Sequence, residues 1–493
     1  MSVPAERKRR MDETKLNPRE KARLEEERKN RKTRAQYYII GAIVVVLAAL
    51  VIIVNSSLFT NSFPALRVGS TSYPLADVNY EYQEIFMQLA NYGMFDPSQS
   101  LKEQECLFEP DGGSWHDYFK NAAKENLVQK TAFYEAAKEA GTTLTDEDYA
   151  QIDSAIGNYS TYAASQGAGS LDNYLSVLFG AGNTEKTVRA SMEKELLINR
   201  YLTDLQQSFE FSDEEKAAYY AENTDSLDKV NYVYSIAYAT ADEDAGVDEE
   251  AAMALAHETA DTIVTNSEGK EDLFRAAAEE LNGSASDSSM SVSSFLSQYG
   301  EEITADDLTE GTVFTHEMSS GVYTVYIKGV DHNDYNTVSV RHILVKAVDE
   351  DGDGQYSEEE KQTAYDAVAA LQAEWEAGEA TEESFAALAQ EHSEDAGSVD
   401  NGGLYEGIYK GQMVPAFEEF CFAPHQKGDT DIVWGETSSY GGYHLIYFVG
   451  EGEAYSTVLA GDALRSDAYS EATTAMLENY NATEAMMWRY VMN

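Results

Sequence analysis

The sequence predicts a multidomain α+β chain with one N-terminal transmembrane helix. Its 493 residues are too many for one hydrophobic core, so two to four domains are expected. Helical periodicity dominates up to about residue 225, and strand-like alternation interrupted by helical stretches follows it. An uncharged apolar run near the N-terminus is the third observation that defines this class.

Charge is distributed very unevenly along the chain. The formal net charge is −52, but residues 1–36 hold 13 Lys and Arg against 7 Asp and Glu, a local charge of +6. The remaining residues therefore carry −58. So much negative charge repels the phosphates of nucleic acids and anionic lipids, which excludes nucleic-acid binding and favours basic clients.

Residues 37–54 (YYIIGAIVVVLAALVIIV) form an uncharged apolar run of 18 residues. This is about the shortest length that spans a bilayer as a helix. Basic residues cluster directly before the run and not after it, so we expect residues 1–36 to form a charged cytoplasmic tail and the rest to lie outside the cell. The alternative is a cleaved signal peptide, which usually has a shorter apolar core and a shorter preceding segment. Residues 55–65 are expected to be a polar linker.

Residues 66–225 are predicted to form a helical domain. Amphipathic stretches at 114–140 and 184–209 have helical spacing, and Thr145 and Ser212 each precede acidic residues as helix N-caps do. A short strand and turn near residue 68 are expected to lead to a further helix with Asp77 as its N-cap.

An internal repeat follows the helical domain. Strand-like and helical segments of residues 226–333 recur in the same order at 336–452. For example, VNYVYSIAYA at 230–239 matches VSVRHILVKA at 338–347, and GVYTVYIKG at 321–329 matches GYHLIYFVG at 442–450. Residues 453–493 are expected to be a helical tail that packs back on the helical domain.

The second copy carries a set of polar and apolar motifs. They are RHILV at 341–345, FAALAQEHSED at 385–395, GGL at 402–404, GQMVPAF at 411–417 and GYHLI at 442–446. In this order and spacing they resemble the parvulin family of peptidyl-prolyl cis-trans isomerases. The preceding helical region resembles the N-terminal chaperone domain of the SurA and PrsA type foldases. These resemblances imply two parvulin-like α/β domains after a SurA-like domain.

The resemblance also implies an active site in the second copy. The expected catalytic residues are His342, Asp395 and His444, and the expected substrate-binding residues are Leu404, Gln412, Met413 and Phe417. Taken singly, each has a plainer explanation, such as a core histidine, a loop acid or core packing. Met413 and Phe417, spaced i and i+4, are expected to share one helical face. In the first copy Tyr234 and Tyr323 replace the two histidines, so we expect that copy to be degenerate and inactive.

The resemblance implies an isomerase and foldase for unfolded exported polypeptides with X-Pro bonds at the outer face of the cell membrane. A non-enzymatic holdase that only binds unfolded clients is the alternative. Lowering a rotation barrier requires no cofactor. Two cysteines, Cys106 and Cys421, leave open one disulfide or two free thiols.

An acidic loop after the first strand of the second copy fits the spacing of an EF-hand calcium loop. Its candidate ligands are Asp349, Asp351, Asp353, Gln355, Ser357 and Glu360. A helix is expected directly after the loop, but a strand rather than a helix precedes it. The alternatives are a structural calcium site and an acidic surface turn.

Overall fold

The structure is a computed structural model that describes Lys29, Tyr38, residues 57–90, 92–109, 112–241, 248–350, 352 and 354–492. These residues form two compact units. Unit 1 comprises residues up to Phe209 and from Ala468 onwards, and unit 2 comprises Glu210–Asp467. The α-helices are α1 Ser57–Ser62, α2 Leu75–Ala90, α3 Trp115–Glu139, α4 Asp146–Ser165, α5 Leu171–Leu178, α6 Glu185–Gln207, α7 Asp213–Glu222, α8 Thr224–Leu227, α9 Glu249–Ser267, α10 Glu271–Asn282, α11 Val292–Tyr299, α12 Glu358–Ala377, α13 Glu382–His392, α14 Pro415–Phe422 and α15 Tyr455–Leu477. The strands are β1 Pro64–Val68, β2 Thr71–Pro74, β3 Lys229–Tyr238, β4 Ser286–Ser291, β5 Val313–Met318, β6 Gly321–Asp331, β7 Asn336–Lys346, β8 Leu404–Ile408, β9 Thr430–Glu436, β10 Gly441–Ala454 and β11 Ala482–Glu484.

Unit 1 is mainly helical and contains a small antiparallel sheet in the order β11-β1-β2. Its helices begin where the sequence predicts, because Ser114 and Thr145 accept hydrogen bonds from backbone N–H groups that have no partner inside the helix. Strand β11 pairs with β1, and Trp488 packs into the same hydrophobic core as Phe119. The C-terminal segment thus packs on the helical unit, although it contains strand β11 where only helix was expected.

Several predicted boundaries in this region are wrong. The linker expected at 55–65 contains helix α1 and the start of β1, and Ala65 is fully buried. Asp77 is not an N-cap, because α2 begins at Leu75 directly after β2 and places Asp77 in its first turn. Unit 1 ends at Phe209, earlier than the boundary expected at residue 225, and the tail returns to it only from Ala468 rather than from 453.

Unit 2 contains two four-stranded antiparallel sheets with the same topology. Their strand orders are β4-β3-β6-β5 and β8-β7-β10-β9. In each sheet the strand that comes first in the chain pairs at the centre with the strand that comes last, β3 with β6 and β7 with β10. Two helices follow the first strand of each sheet and one helix follows the second. The repeat seen in the sequence is therefore also a repeat of the chain path.

No helix within the described residues is long and apolar enough to cross a bilayer. The predicted span at 37–54 and the tail at 1–36 lie outside the described residues, apart from Tyr38 and Lys29. Cys106 and Cys421 are free thiols, each buried in the core of its own unit.

Candidate active site

Two buried histidines meet on the central strands of the second sheet. In the antiparallel register of β7 and β10, His342 lies opposite Ile446 and His444 lies opposite Leu344. Both histidines point to the same face of the sheet, where their rings stack with centroids 5.3 Å apart. Their Nδ1 atoms are 3.1 Å apart and each residue is 3% exposed. The structure thus brings together two residues that are 102 positions apart in the sequence.

Asp395 lies on the other side of His342. Its Oδ2 is 2.9 Å from His342 Nε2, and it also accepts hydrogen bonds from Ser398 Oγ at 2.5 Å and Tyr405 Oη at 3.0 Å. Because an ionised carboxylate can only accept, the proton of His342 lies on Nε2. Nδ1 of His342 then accepts the Nδ1 proton of His444.

The electrostatics of the group favour an ionised Asp395 beside a neutral His444. The hydrogen bond from His342 holds the pKa of Asp395 well below its usual range, although burial opposes this. Burial lowers the pKa of His444 to about 4, and the proximity of His342 acts in the same direction. His444 Nε2 is buried without a hydrogen-bond partner among the described residues, so a proton there would have no acceptor. At neutral pH the network is polar but needs no proton transfer.

Phe417 forms the apolar side of the site. Its ring lies edge-on to both histidines, with centroids 5.5 Å from His342 and 5.4 Å from His444. Met413 packs against the same cluster but does not share a helix with Phe417. Helix α14 begins only at Pro415, because proline favours the first helical position and keeps the preceding Val414 extended. The predicted common helical face is wrong, although both side chains reach the same cluster.

Two of the predicted substrate-binding residues are placed differently from expectation. On β8, Leu404 lies opposite Arg341 of β7, whereas its neighbour Tyr405 lies opposite Val340. Val340 is on the same face of the sheet as His342. Since successive strand residues point to opposite faces, Tyr405 contacts His342 and Leu404 does not form a wall there. Gln412 is exposed, and its Oε1 accepts a hydrogen bond from Tyr409 N–H.

Sequence reasoning missed Ser398 and Tyr405. Ser398 is 1% exposed and lies within 3.1 Å of His342 Nε2, and no sequence pattern marks it. Tyr405 could have been found from the alternation of β8, which places it rather than Leu404 on the inner face.

A glycine allows the backbone to approach His342 closely. Gly403 has φ +73°, and a Cβ built there would lie 2.2 Å from the carbonyl oxygen of His342. Its carbonyl accepts the His342 N–H at 2.8 Å, which holds β7 in place beside Asp395. A larger residue at position 403 would displace the strand that carries His342.

The first sheet carries a stacked tyrosine pair at the matching register. Tyr234 lies opposite Val325, as His342 lies opposite Ile446, and Tyr323 lies opposite Ile236, as His444 lies opposite Leu344. The tyrosine rings stack at 5.9 Å with an angle of 19°, close to the 18° of the histidine pair. The replacement of the histidines by tyrosines is therefore a replacement at the same position in the sheet.

The acidic loop is described only in part, because Asp351 and Asp353 lie outside the described residues. Asp349 accepts hydrogen bonds from the N–H groups of Gly352 and Gly354. Glu360 accepts a hydrogen bond from Ser357 N–H, which completes an N-terminal capping box of α12. Its other carboxylate oxygen accepts the N–H of Glu350. Within the described ranges, no group of three or more His, Cys, Asp or Glu side chains is arranged to hold a metal ion.

Comparison with known families identifies two parts of the chain. Residues 325–450 match the family described as the PPIC-type PPIASE domain, and residues 24–202 match the SurA-like N-terminal domain. The chain therefore combines a SurA-like N-terminal domain with a PPIC-type domain, and the PPIC match covers His342, Asp395 and His444. The region that lies between the two matches, 203–324, contains most of the first sheet.

The curated relatives are foldases. Foldase protein PrsA 3 of Bacillus cereus is 31% identical over 144 residues, which cover 29% of this chain and 42% of the relative. Foldase protein PrsA 2 of Listeria monocytogenes is 41% identical over 64 residues, which cover 13% of this chain and 21% of the relative. This chain thus spans less than half the length of the curated relatives it matches. The crystal structure of PrsA from Bacillus subtilis is 15% identical, covers 77% of this chain and 93% of that chain, and gives a TM-score of 0.30.

Proposed function

We propose that this protein is a parvulin-type peptidyl-prolyl cis-trans isomerase and foldase for unfolded exported polypeptides. The observation that carries the proposal is the buried His342–His444 pair, hydrogen-bonded to Asp395 and bordered by Phe417, inside a PPIC-type domain. A buried polar network beside an apolar ring suits the rotation of an X-Pro bond, a reaction that breaks no covalent bond.

The X-Pro bond must twist over a rotation barrier of ~18–20 kcal/mol. Phe417 and Met413 offer apolar surface for the proline ring. The polar group formed by His342, Asp395 and Ser398 faces the same site and is preorganised by mutual hydrogen bonds. Stabilising the twisted bond by ~4 kcal/mol relative to the planar one would accelerate isomerisation about a thousandfold. No metal, cofactor or proton transfer enters this scheme.

The test is a protease-coupled isomerisation assay of the full-length protein with an Ala-Pro peptide. We expect the parent protein to accelerate isomerisation above the uncatalysed rate. Asp395→Asn should lower kcat/KM about tenfold, because a neutral amide replaces the carboxylate whose Oδ2 accepts three hydrogen bonds. No acceleration by the parent protein, or equal rates for both proteins, would contradict the proposal.

The second candidate function is a holdase, and the stacked Tyr234–Tyr323 pair favours it. The first copy keeps the sheet but has tyrosines where the catalytic histidines would be, which suits binding without isomerisation. A holdase alone would suppress aggregation of an unfolded protein in the parent and in Asp395→Asn alike, and neither would accelerate the Ala-Pro peptide.

We propose that residues 37–54 anchor the protein in the cell membrane with the bulk of the chain outside. The basic residues before the run and the uncharged run itself support this orientation. Protease added to intact cells should remove both units and spare the N-terminal tail. Complete protection of unit 2 would contradict this topology.

We also propose that the loop between Asp349 and Glu360 binds structural calcium. Its acidic side chains are close in sequence, and a cation would offset their mutual repulsion. Millimolar calcium should raise the melting temperature of the full-length protein relative to chelator, and Glu360→Gln should lose this increase. Glutamine also suits the N3 position of a capping box, so Glu360→Gln can keep the N-terminal cap of α12 while it removes the carboxylate charge. The same calcium shift in parent and Glu360→Gln would identify the loop as an acidic turn.

A further inference from the structure

Unit 2 contains a cleft of about 910 Å³ that lies outside the candidate active site. One wall comes from strands of the first sheet and includes Lys229, Asn231 and Ser289. The opposite wall comes from the second copy and from the segments that flank it, and includes Tyr335 and Tyr409. The cleft therefore lies where the two copies face each other.

The second-copy wall is a stack of tyrosines. Tyr455 stacks on Tyr409 with ring centroids 4.8 Å apart and on Tyr335 at 5.2 Å. Lys410 lies over the ring of Tyr335 at 4.3 Å, and its backbone N–H donates to Tyr335 Oη. The aromatic surface is thus held in place before any ligand arrives, which lowers the entropic cost of binding.

The charge of the cleft differs from that of the rest of the chain. Three lysines line it, Lys229, Lys328 and Lys410, together with three acids, Asp287, Asp331 and Glu418. All three acids are already engaged: Asp287 pairs with Lys328 at 3.1 Å, Glu418 accepts the N–H of Gly411, and Asp331 accepts the N–H of Asn333 at 2.8 Å. Lys229 and Lys410 form no ion pair within the described part of the chain. The three lysines and three acids sum to a formal charge of zero, so in a protein that carries −58 beyond residue 36 the cleft lining itself does not repel a neutral polypeptide segment.

The cleft and the candidate active site share one loop and one helix. Tyr409 and Lys410 line the cleft, and Met413 of the same loop packs in the active-site cluster. On α14, Glu418 lines the cleft while the preceding Phe417 contacts the histidines. The cleft and the candidate active site are therefore connected by one short loop and one helix.

We propose that this cleft binds an extended, unfolded segment of the client chain that flanks the X-Pro bond. The inference rests on the proposed function and adds a second client site to it. The volume of the cleft is at the upper end of the ~300–1,000 Å³ of typical ligand pockets, which is enough for a few residues of a peptide. The tyrosine stack offers flat surface for proline and aromatic side chains, and Asn231 and Ser289 offer hydrogen bonds to a peptide backbone.

The test blocks the cleft chemically in the full-length protein. Cys106 and Cys421 are each 1% exposed, so a cysteine introduced at an exposed position is the reactive one. Ser289→Cys, coupled to pyrene maleimide, places a bulky group in the cleft. Ser286→Cys with the same label is the matched control, because Ser286 is exposed on the same strand but does not line the cleft.

Two readings are taken on each conjugate. The first is the Kd for reduced, carboxymethylated ribonuclease, an unfolded polypeptide, which we expect to rise about fivefold or more for the Ser289 conjugate and less than about twofold for the Ser286 conjugate. The second is kcat/KM for a short Ala-Pro peptide, which is expected to stay within about twofold in both, because a short peptide needs only the active site.

Equal affinities of the two conjugates for the unfolded polypeptide, or no binding by the parent protein, would overturn the cleft proposal. A parent protein that binds the polypeptide through the cleft but does not accelerate the Ala-Pro peptide would instead overturn the isomerase function and leave the cleft as a holdase site. The two failures are therefore distinguishable.

Discussion

Replacing His444 by alanine in the full-length protein is expected to lower kcat/KM for an Ala-Pro peptide by about 10- to 100-fold. The substitution removes the donor to His342 Nδ1 and leaves that buried atom without a partner, which costs ~1–3 kcal/mol. It also removes the ring on which the edge of Phe417 packs at 5.4 Å. Both losses fall on the network that would stabilise the twisted bond.

The matched control is Tyr323→Ala, because Tyr323 holds the same register position in the first sheet. We expect this variant to retain kcat/KM within about twofold, since Tyr323 contacts Tyr234 and not the histidine network. Equal losses in the two variants would mean that both copies catalyse, or that each substitution acts only by loosening unit 2. Melting temperatures of both variants separate these two explanations.

Local features of the fold were predicted well from the sequence. The predicted N-caps at Thr145 and Ser212 depend on hydrogen bonds that span only three residues, so the sequence around each contains the needed signal. The amphipathic stretches predicted from residues 114 and 184 also begin at N-caps, Ser114 and Thr184. The central strands were found for a related reason, since the alternation of apolar residues that predicts a strand lies within each segment. The failure at Asp77 has the same physical origin, because an acidic residue suits the first turn of a helix as well as its N-cap.

Features that depend on distant contacts could not be predicted in the same way. The pairing of β11 with β1 joins Glu484 to Leu66, and nothing in either segment specifies the other. The cleft has the same character, because Tyr335, Tyr409 and Tyr455 come from three separate segments. The histidine pair was an exception, since the family resemblance supplied the register that His342 and His444 alone do not contain.

The largest expected effect on stability concerns a buried charge cluster in unit 1. Lys130 on α3 forms ion pairs with Glu81 at 2.8 Å and with Glu195, and the Glu81 side chain is only 5% exposed. Burial raises the pKa of Glu81, while the attraction of Lys130 opposes that rise. Glu84, with a pKa raised to about 7 by burial, adds further negative charge close by.

Lys130→Met is therefore expected to destabilise unit 1 by ~3–5 kcal/mol at pH 8, because it leaves a buried carboxylate without its counter-charge. Hydrogen exchange of the α3 amides measures this loss within unit 1. Lys124→Met on the same helix is the control. Lys124 pairs with the exposed Glu484, and the loss of a surface pair costs only ~0–1 kcal/mol.

Acidification should reverse much of the loss in Lys130→Met. An acid whose pKa is raised in the folded state binds its proton more readily there than in the unfolded chain, so folding is favoured as the pH falls through the folded pKa. Glu81 has no counter-charge in the variant, so the difference in α3 opening free energy between parent and variant should shrink from pH 8 to pH 5. The double variant Lys130→Met with Glu81→Gln should recover part of the stability at pH 8, since the neutral amide removes the unpaired charge. A difference that stays constant with pH and is not reduced by Glu81→Gln would show that Lys130 stabilises α3 through the packing of its side-chain stem rather than through its charge.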